Sequence, residues 1–397
     1  MIAPGRKPPN HTIERKKMER EASPMLPPDP PGRRLDPDRT DLKGMEETEL
    51  TAFCGELGEP PYRGRQLFAW IYGRGECDFE RMTDLSKEFR RKLSERARVG
   101  FLAPARAEEA GDGTRKYAWE LAGGARVESV KIPMPRAEGP VRWALCLSTQ
   151  AGCAMGCAFC LTGRMGLVRD LSAGEIAEQF LAARRDLGPE ERFHNIVFMG
   201  MGEPLENFGP SAAAARILSH PRAGGVSARR LTVSTVGVAS RLAEFARAVP
   251  GVGLAVSLHA ADDATRGRLV PVNRKWGLEA LLRACRELPL PERRRVTFEY
   301  VLLQGVNDAP EAARRLAARL RGIRCKVNLL PWNPFPGAPF ERPSPERVEA
   351  FRRELVRAGL TATVRQSKGL PIRAACGQLA DDARLAERPR KTPATSA

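Results

Sequence analysis

Long apolar runs are missing from this chain of 397 residues: none approaches the ~18 consecutive apolar residues that a bilayer crossing needs. His11, Glu14, Arg15, Lys16 and Lys17 stand where a secretory signal would place its apolar stretch. No internal repeat is evident beyond an alternation of strand and helix patterns. The nine cysteines are unevenly spread, and the chain is too long for a small disulfide-stapled fold. A membrane-spanning chain and a secreted mini-protein are thereby excluded. A cytoplasmic protein with reduced thiols is expected.

Acidic residues are in deficit. Lys and Arg number 65 against 48 Asp and Glu, a formal charge of +17. An excess of this size attracts polyanions, because neutralising phosphates releases their counterions. A GC-rich genome that replaces Lys by Arg on a solvated surface would give the same balance, so charge alone leaves both readings open. With 42% hydrophobic residues the chain can bury a sizeable core.

Residues 1–40 are rich in Pro and charge and predict a disordered tail, as do 381–397. Residues 41–103 carry helical patterns studded with Arg: Leu85, Phe89 and Leu93 recur every four residues, and Leu67, Trp70 and Ile71 form a second stripe. They predict a small N-terminal helical domain, an accessory that binds RNA or simply caps the core. Residues 104–142 read as a connecting extension with short extended segments and a Pro-Gly loop after Pro133. From 143 to 366 strand and helix patterns alternate six times, with strands at 144–149, 196–200, 231–237, 253–259, 297–303 and 326–332. Most are near-continuous apolar runs, as in strands buried on both faces of a parallel sheet. Ser172 and Glu175 form a capping box ahead of Ile176, Phe180 and Ala183. The expected fold is α/β, an open (β/α)6 partial barrel with functional residues at the C-terminal strand ends.

The chemistry begins at GCAMGCAFC, where Cys153, Cys157 and Cys160 are spaced C-x3-C-x2-C directly after the first of these strands. No fourth cysteine or histidine lies nearby. A structural zinc site takes four protein ligands. A [4Fe–4S] cluster normally takes four thiolates, so three leave one iron open to a substrate, the arrangement of radical S-adenosylmethionine (SAM) enzymes. A zinc knuckle with a distant fourth ligand, or three unrelated thiols, remain alternatives. Gly202 and Glu203 end the second strand in GMGEP, where a carbonyl and a carboxylate could meet an ammonium group. Ser234, Ser257, His259 and Asn333 end later strands and would converge on the same mouth. Cys376, in RAACGQL after an extended segment TATVRQS, has small neighbours. It reads equally as an ordinary thiol, Cys146 as a mid-strand thiol and Glu128 as a surface acid.

Together VESVKIP, CLSTQAGCAMGCAFCLTG, FMGMGEPLEN, LTVSTVG, AVSLHA, NLLPWNPFPG and RAACGQL resemble, in order, the RlmN/Cfr family of radical SAM RNA adenosine methyltransferases. The resemblance runs from about Leu42 to Leu379. It implies that Cys153, Cys157 and Cys160 ligate a [4Fe–4S] cluster. It implies that Gly202, Glu203, Ser234, Ser257, Leu258, His259 and Asn333 contact SAM, with two SAM used per turnover. It further implies that Cys376, in a C-terminal segment 367–380, carries the methyl group as S-methylcysteine. Glu128 is implied as proton acceptor, and Cys146 as the thiol that forms a transient disulfide with Cys376.

The family's chemistry accounts for these groups, because adenine C2 and C8 are not nucleophiles. One SAM methylates the cysteine by displacement. The reduced cluster cleaves a second SAM to a radical that takes hydrogen from the S-methyl group, and the resulting methylene radical adds to the ring. Loss of the ring proton and attack by the second thiol then free the product and leave a disulfide to be reduced. The resemblance implies 23S rRNA (adenosine 2503) and tRNA (adenosine 37) as partners, methylated at C2, with a flavodoxin- or ferredoxin-type electron donor. A monomer is expected. Within the same chemistry C8 methylation is the alternative, and outside it a non-catalytic RNA-binding paralogue. Leu370-Pro371 departs from the acidic residue that members commonly carry before the following Ile. Protein purified anaerobically should contain iron and sulfide; zinc without either, by elemental analysis, would instead support a zinc-bound RNA-binding protein.

Overall fold

The computed structural model describes residues 39–134, 141–292, 294–381 and 385, all within one compact unit. The expected tails, apart from their innermost residues, and the Pro-Gly loop at 135–140 lie outside the described residues. One ten-stranded sheet organises the chain. Its strands are β1 (Pro104–Glu109), β2 (Arg115–Glu120), β3 (Arg126–Met134), β4 (Arg142–Leu147), β5 (Phe193–Phe198), β6 (Leu231–Thr235), β7 (Gly253–Ser257), β8 (Val296–Leu302), β9 (Cys325–Pro331) and β10 (Ala362–Val364). Each pairs with its neighbours in sequence. β1 to β4 are antiparallel, and β4 to β10 are parallel. β1 and β10 are edges, so the sheet stays open.

The six expected strands are β4 to β9, with boundaries shifted by a few residues. β10 adds a seventh parallel strand, and residues 104–134 extend the same sheet as an antiparallel meander. Short turns suffice for β1 to β4, whereas each later parallel pairing needs a crossover long enough for a helix. Helix Ala173–Arg185 is buried nearly all round, from Ile176 to Ala183, whereas others bury a single stripe. In Leu278–Arg286 it is Leu278, Leu281, Leu282 and Cys285, spaced as one face of a helix. Helix Ala173–Arg185 starts at the expected capping box: Ser172 Oγ accepts from the Glu175 N–H at 3.1 Å, and the Ser172 N–H donates to Glu175 Oε2 at 2.9 Å.

The expectation of strands buried on both faces does not hold throughout. In β9, Val327 and Leu329 are buried, while Lys326, Asn328 and Leu330 line a cavity. Side chains alternate along a strand. One face therefore packs against the crossover helices while the other walls an interior space, and that face takes polar residues.

The N-terminal stripes are core. Leu67, Ile71, Phe89 and Leu93 are fully buried, in helices Tyr62–Phe68 and Lys87–Arg96 and in the wide helical turn Ala69–Arg74. The segment is fastened to the crossover helices by charge. Arg216 grips Glu46 with two bonds, of 2.8 and 2.5 Å, Lys43 pairs with Glu178, and Arg184 Nη2 donates to the Tyr72 carbonyl at 2.9 Å.

After β4 the chain makes a small hairpin, Gln150–Cys153 against Gly166–Asp170, that presents the cysteine loop. Gly152 sits there at φ +77°, and a Cβ on it would lie 1.9 Å from the Gly166 carbonyl oxygen. Gly152→Ala should therefore destabilise the protein by more than the ~1–2 kcal/mol of the left-handed backbone alone. Denaturant unfolding of the two proteins measures the difference.

Candidate functional site

The C-terminal ends of the parallel strands open onto a cavity of about 160 Å³. Cys153, Cys157 and Cys160 all line it. Burial pushes the Cys153 thiol up to about 12 and raises Cys157 and Cys160 as well; Cys153 and Cys157 also feel the charge of Cys160, and Cys160 that of Cys376. Among the described residues, no three His, Cys, Asp or Glu side chains converge on a single metal ion. Thiols that share a cavity without meeting at one point suit a cluster, which offers each thiolate its own iron, better than a four-ligand zinc ion. Metal binding would deprotonate thiols that are otherwise held neutral.

Gly202, Glu203, Ser234, Ser257, His259 and Asn333 line this same cavity. Leu258 does not: it is fully buried, with its N–H bonded to the Glu299 carbonyl at 2.9 Å and its carbonyl accepting from Arg266 Nε at 3.0 Å. Arg266, also fully buried, further binds the Val236 and Ser257 carbonyls and so ties two strand ends together. The glycines of GMGEP are required by close packing against the chain just after β4. A Cβ on Gly200 would stand 2.6 Å from Ser148 Oγ, and one on Gly202, at φ +103°, 2.6 Å from Gln150.

Glu203 is buried, with Oε1 accepting from Leu205 N–H at 3.0 Å and Oε2 from Val236 N–H at 2.8 Å. Burial outweighs these bonds and raises its carboxyl to about 7. His259 takes a left-handed backbone, φ 59°, that is costly for a non-glycine residue. The Val301 N–H donates to its Nδ1 at 2.9 Å, which fixes the tautomer with hydrogen on Nε2. Burial, then Arg266, lowers its pKa to about 3, so the ring is neutral.

A second cavity, of about 450 Å³, lies against the polar face of the sheet. Cys146 and Cys376 both line it, and Cys376 and Asn333 line the first cavity too. Burial pushes the Cys146 thiol up to about 12, with the Cys376 charge next in effect. All nine cysteines are free thiols. Glu128 is buried rather than at the surface and lines neither cavity: Oε1 pairs with Lys116 Nζ at 2.9 Å, and Oε2 accepts the Ala380 N–H at 3.0 Å. Leu370-Pro371 falls in a short helical turn, Leu370–Ile372, between Gly369 and Arg373, both at positive φ. Cys376 reaches both cavities with that turn in place.

Sequence reasoning missed Arg365 and Glu299, which line the second cavity. Arg365 lies deep beside Cys376, Glu299 and Cys146, whose charges favour its protonated form. Its Nη1 is 3.8 Å from Met199 Sδ. Burial raises Glu299, and Arg365 and the Asn328 amide, 2.8 Å away, act against that rise. A lone acid inside the apolar run TFEYVLL was the available signal for Glu299.

Two family models match the chain: the ribosomal RNA large subunit methyltransferase N-terminal domain over residues 40–99, and the radical SAM superfamily over 147–317. The dual-specificity RNA methyltransferase RlmN of Syntrophobacter fumaroxidans is 48% identical over 339 residues, covering 85% of this chain and 97% of its own. That of Halorhodospira halophila is also 48% identical, covering 87% and 94%. The crystal structure of a radical SAM methyltransferase from Sphaerobacter thermophilus superposes with a TM-score of 0.79 at 44% identity, covering 86% of this chain and 99% of that one.

Glu203 gives the site a pH signature. An exposed carboxyl of this type titrates near 4.5 and the folded one near 7. Between those values the folded state holds the extra proton, so stability is greatest below the lower value and falls as pH rises through the upper one. The loss should reach about 2–3 kcal/mol between about pH 5 and pH 8 in the protein without SAM. Glu203→Gln, uncharged throughout, should flatten that part of the profile in denaturant melts.

Proposed function

Because the chain belongs to the RlmN family of dual-specificity RNA methyltransferases, we propose that it methylates C2 of adenosine 2503 in 23S rRNA and of adenosine 37 in tRNA. It is a SAM-dependent RNA adenine methyltransferase with a [4Fe–4S] cluster. The observation that carries the methyl-cysteine route is the place of Cys376, which lines both the cavity of the three cluster cysteines and the chamber beside it; the C2 position and the two RNAs rest on the family. A thiol there can take a methyl group on one side and deliver it to a base on the other.

Cys153, Cys157 and Cys160 hold the cluster, which when bound supplies the electron that cleaves SAM. Glu203 and the Gly202 carbonyl receive the SAM ammonium group; a cation there turns a carboxyl that burial keeps protonated into its partner. Ser234, Ser257 and neutral His259 offer hydrogen bonds to the rest of SAM, and Asn333 reaches it from the far side. Leu258 faces the core, with its N–H bonded to Glu299 and its carbonyl to Arg266, so it serves SAM indirectly, by holding Ser257 and His259 on either side of it. Cys376 Sγ takes the methyl group, which leaves a neutral thioether. Cys146, on the shared wall of the second cavity, is the thiol that frees the product by disulfide formation with Cys376. Glu128 accepts the ring proton, its Oε2 keeping a lone pair beside the Ala380 N–H bond.

The helical segment 41–103 and the overall positive charge favour RNA binding through phosphates and shape. A flavodoxin- or ferredoxin-type donor, a monomeric state and a cytoplasmic location complete the reading. No described helix is long and apolar enough to cross a membrane.

Anaerobic incubation of reconstituted protein with SAM, a reductant and rRNA or tRNA, followed by mass spectrometry of the adenosines, tests the reading. The expected product is 2-methyladenosine in both pools, absent with Cys376→Ala. Appearance of 8-methyladenosine would overturn the C2 assignment, and a product confined to one pool would overturn dual specificity.

A further inference from the structure

Asn333 stands where the two cavities meet and lines both. Its amide could point either way, and the two ends are not equivalent: the oxygen accepts, the nitrogen donates. The surroundings select one orientation. Arg342 Nη1 donates to Asn333 Oδ1 at 3.1 Å, and Ser367 Oγ donates to the same oxygen at 2.6 Å. Arg342 Nη1 also reaches Ser367 Oγ and the Trp332 carbonyl, each at 3.1 Å. A guanidinium has no acceptor, so a flipped amide would set donor against donor. With its oxygen held, Asn333 must aim Nδ2 at the carbonyl of Cys376, 3.1 Å away.

We propose that Arg342 is a positioning residue for the methyl-carrying cysteine: with Ser367 it fixes the Asn333 amide, and through that amide the Cys376 peptide at the junction of the two cavities. The proposal rests on the reading of Cys376 as the methyl carrier. Arg342 lines neither cavity, so it acts only through Asn333 and Ser367. The geometry also shows why a cation suits this position. One nitrogen serves three oxygen acceptors from the β9 end and the segment after β10, and hydrogen bonds from a charged donor are stronger than neutral ones. Of the groups that Arg342 holds, the Asn333 side chain is the one bonded to Cys376 itself, while the Trp332 indole turns to the Phe159 carbonyl at 3.1 Å.

Two measurements on Arg342→Ala test this. Hydrogen exchange of the amides of Ala375 to Gln378, in protein without SAM, should accelerate roughly tenfold. The fraction of Cys376 found methylated by peptide mass spectrometry, after incubation of the cluster-loaded protein with SAM, should fall. Arg342→Lys should restore most of both, because an ammonium group offers three donors for the same three acceptors. Ser367→Ala should act in the same direction and combine non-additively with Arg342→Ala. Wild-type exchange at these amides in Arg342→Ala overturns the proposal. So does equal impairment in the Ala and Lys variants, which would mark a packing role. If wild-type protein itself carries no methyl group on Cys376, the reading of Cys376 fails, and the exchange measurement still decides whether Arg342 orders this segment.

Discussion

The segment that carries Cys376 has almost no regular structure, so its backbone polar groups must find partners one at a time, and those partners hold the site together. Buried N–H and C=O groups are rarely left unpaired. The Gly377 carbonyl accepts the Leu161 N–H at 2.7 Å, and the Leu379 carbonyl accepts Thr162 Oγ1 at 2.6 Å. The Gly369 N–H donates to Asp112 at 3.0 Å, and Gln378 Nε2 to the Pro334 carbonyl at 2.7 Å. These bonds join the cysteine loop, the β9 end and the antiparallel meander to one strap. The meander thus supplies part of the site, through Asp112 and Glu128, as well as extending the sheet.

Charge is the second constraint. Three cysteines, Cys146 and Glu203 are all pushed by burial toward their neutral forms, and His259 is held neutral as well. A pocket that keeps its acids protonated stays stable while empty and becomes strongly polar when a metal cluster and a cationic ligand enter, since interactions are strengthened in a dry interior. Arg266 shows the complementary case. A fully buried cation survives because four carbonyl or amide oxygens surround it.

Six of the seven parallel strands and the cysteine triad were legible in the sequence because each rests on local pattern: apolar runs, turn residues and close spacing. Ser234, Ser257, His259 and Asn333 were placed by the same logic, and they meet at one cavity. What the sequence alone left open depends on distant partners. Glu128 read as a surface acid until Lys116 and the Ala380 N–H were seen to occupy it, across 252 positions of chain in the second case. Cys146 read as an ordinary mid-strand thiol because nothing local says which face of β4 walls a cavity. Arg365 and Arg342 stand among many arginines in this basic chain, and only their surroundings mark them.

The fold divides two mechanical demands between two kinds of structure. Ser234 and Ser257 sit in strands whose positions are set by sheet registers, and moving either means breaking a ladder. Cys376 sits on a strap held by single hydrogen bonds, each contributing about 1 kcal/mol net. Displacing the thiol therefore costs a few such bonds, whereas displacing Ser234 or Ser257 disturbs a sheet register, at the pairing with Ala255 in one case and with Glu299 in the other. On the proposed reading of Cys376, a thiol that accepts a methyl group in one cavity and presents it in the next draws on this inequality. The Ala380 N–H on Glu128 ties the same strap to β3, so a movement of the strap that shifts Cys376 also changes the hydrogen bonding of that carboxylate.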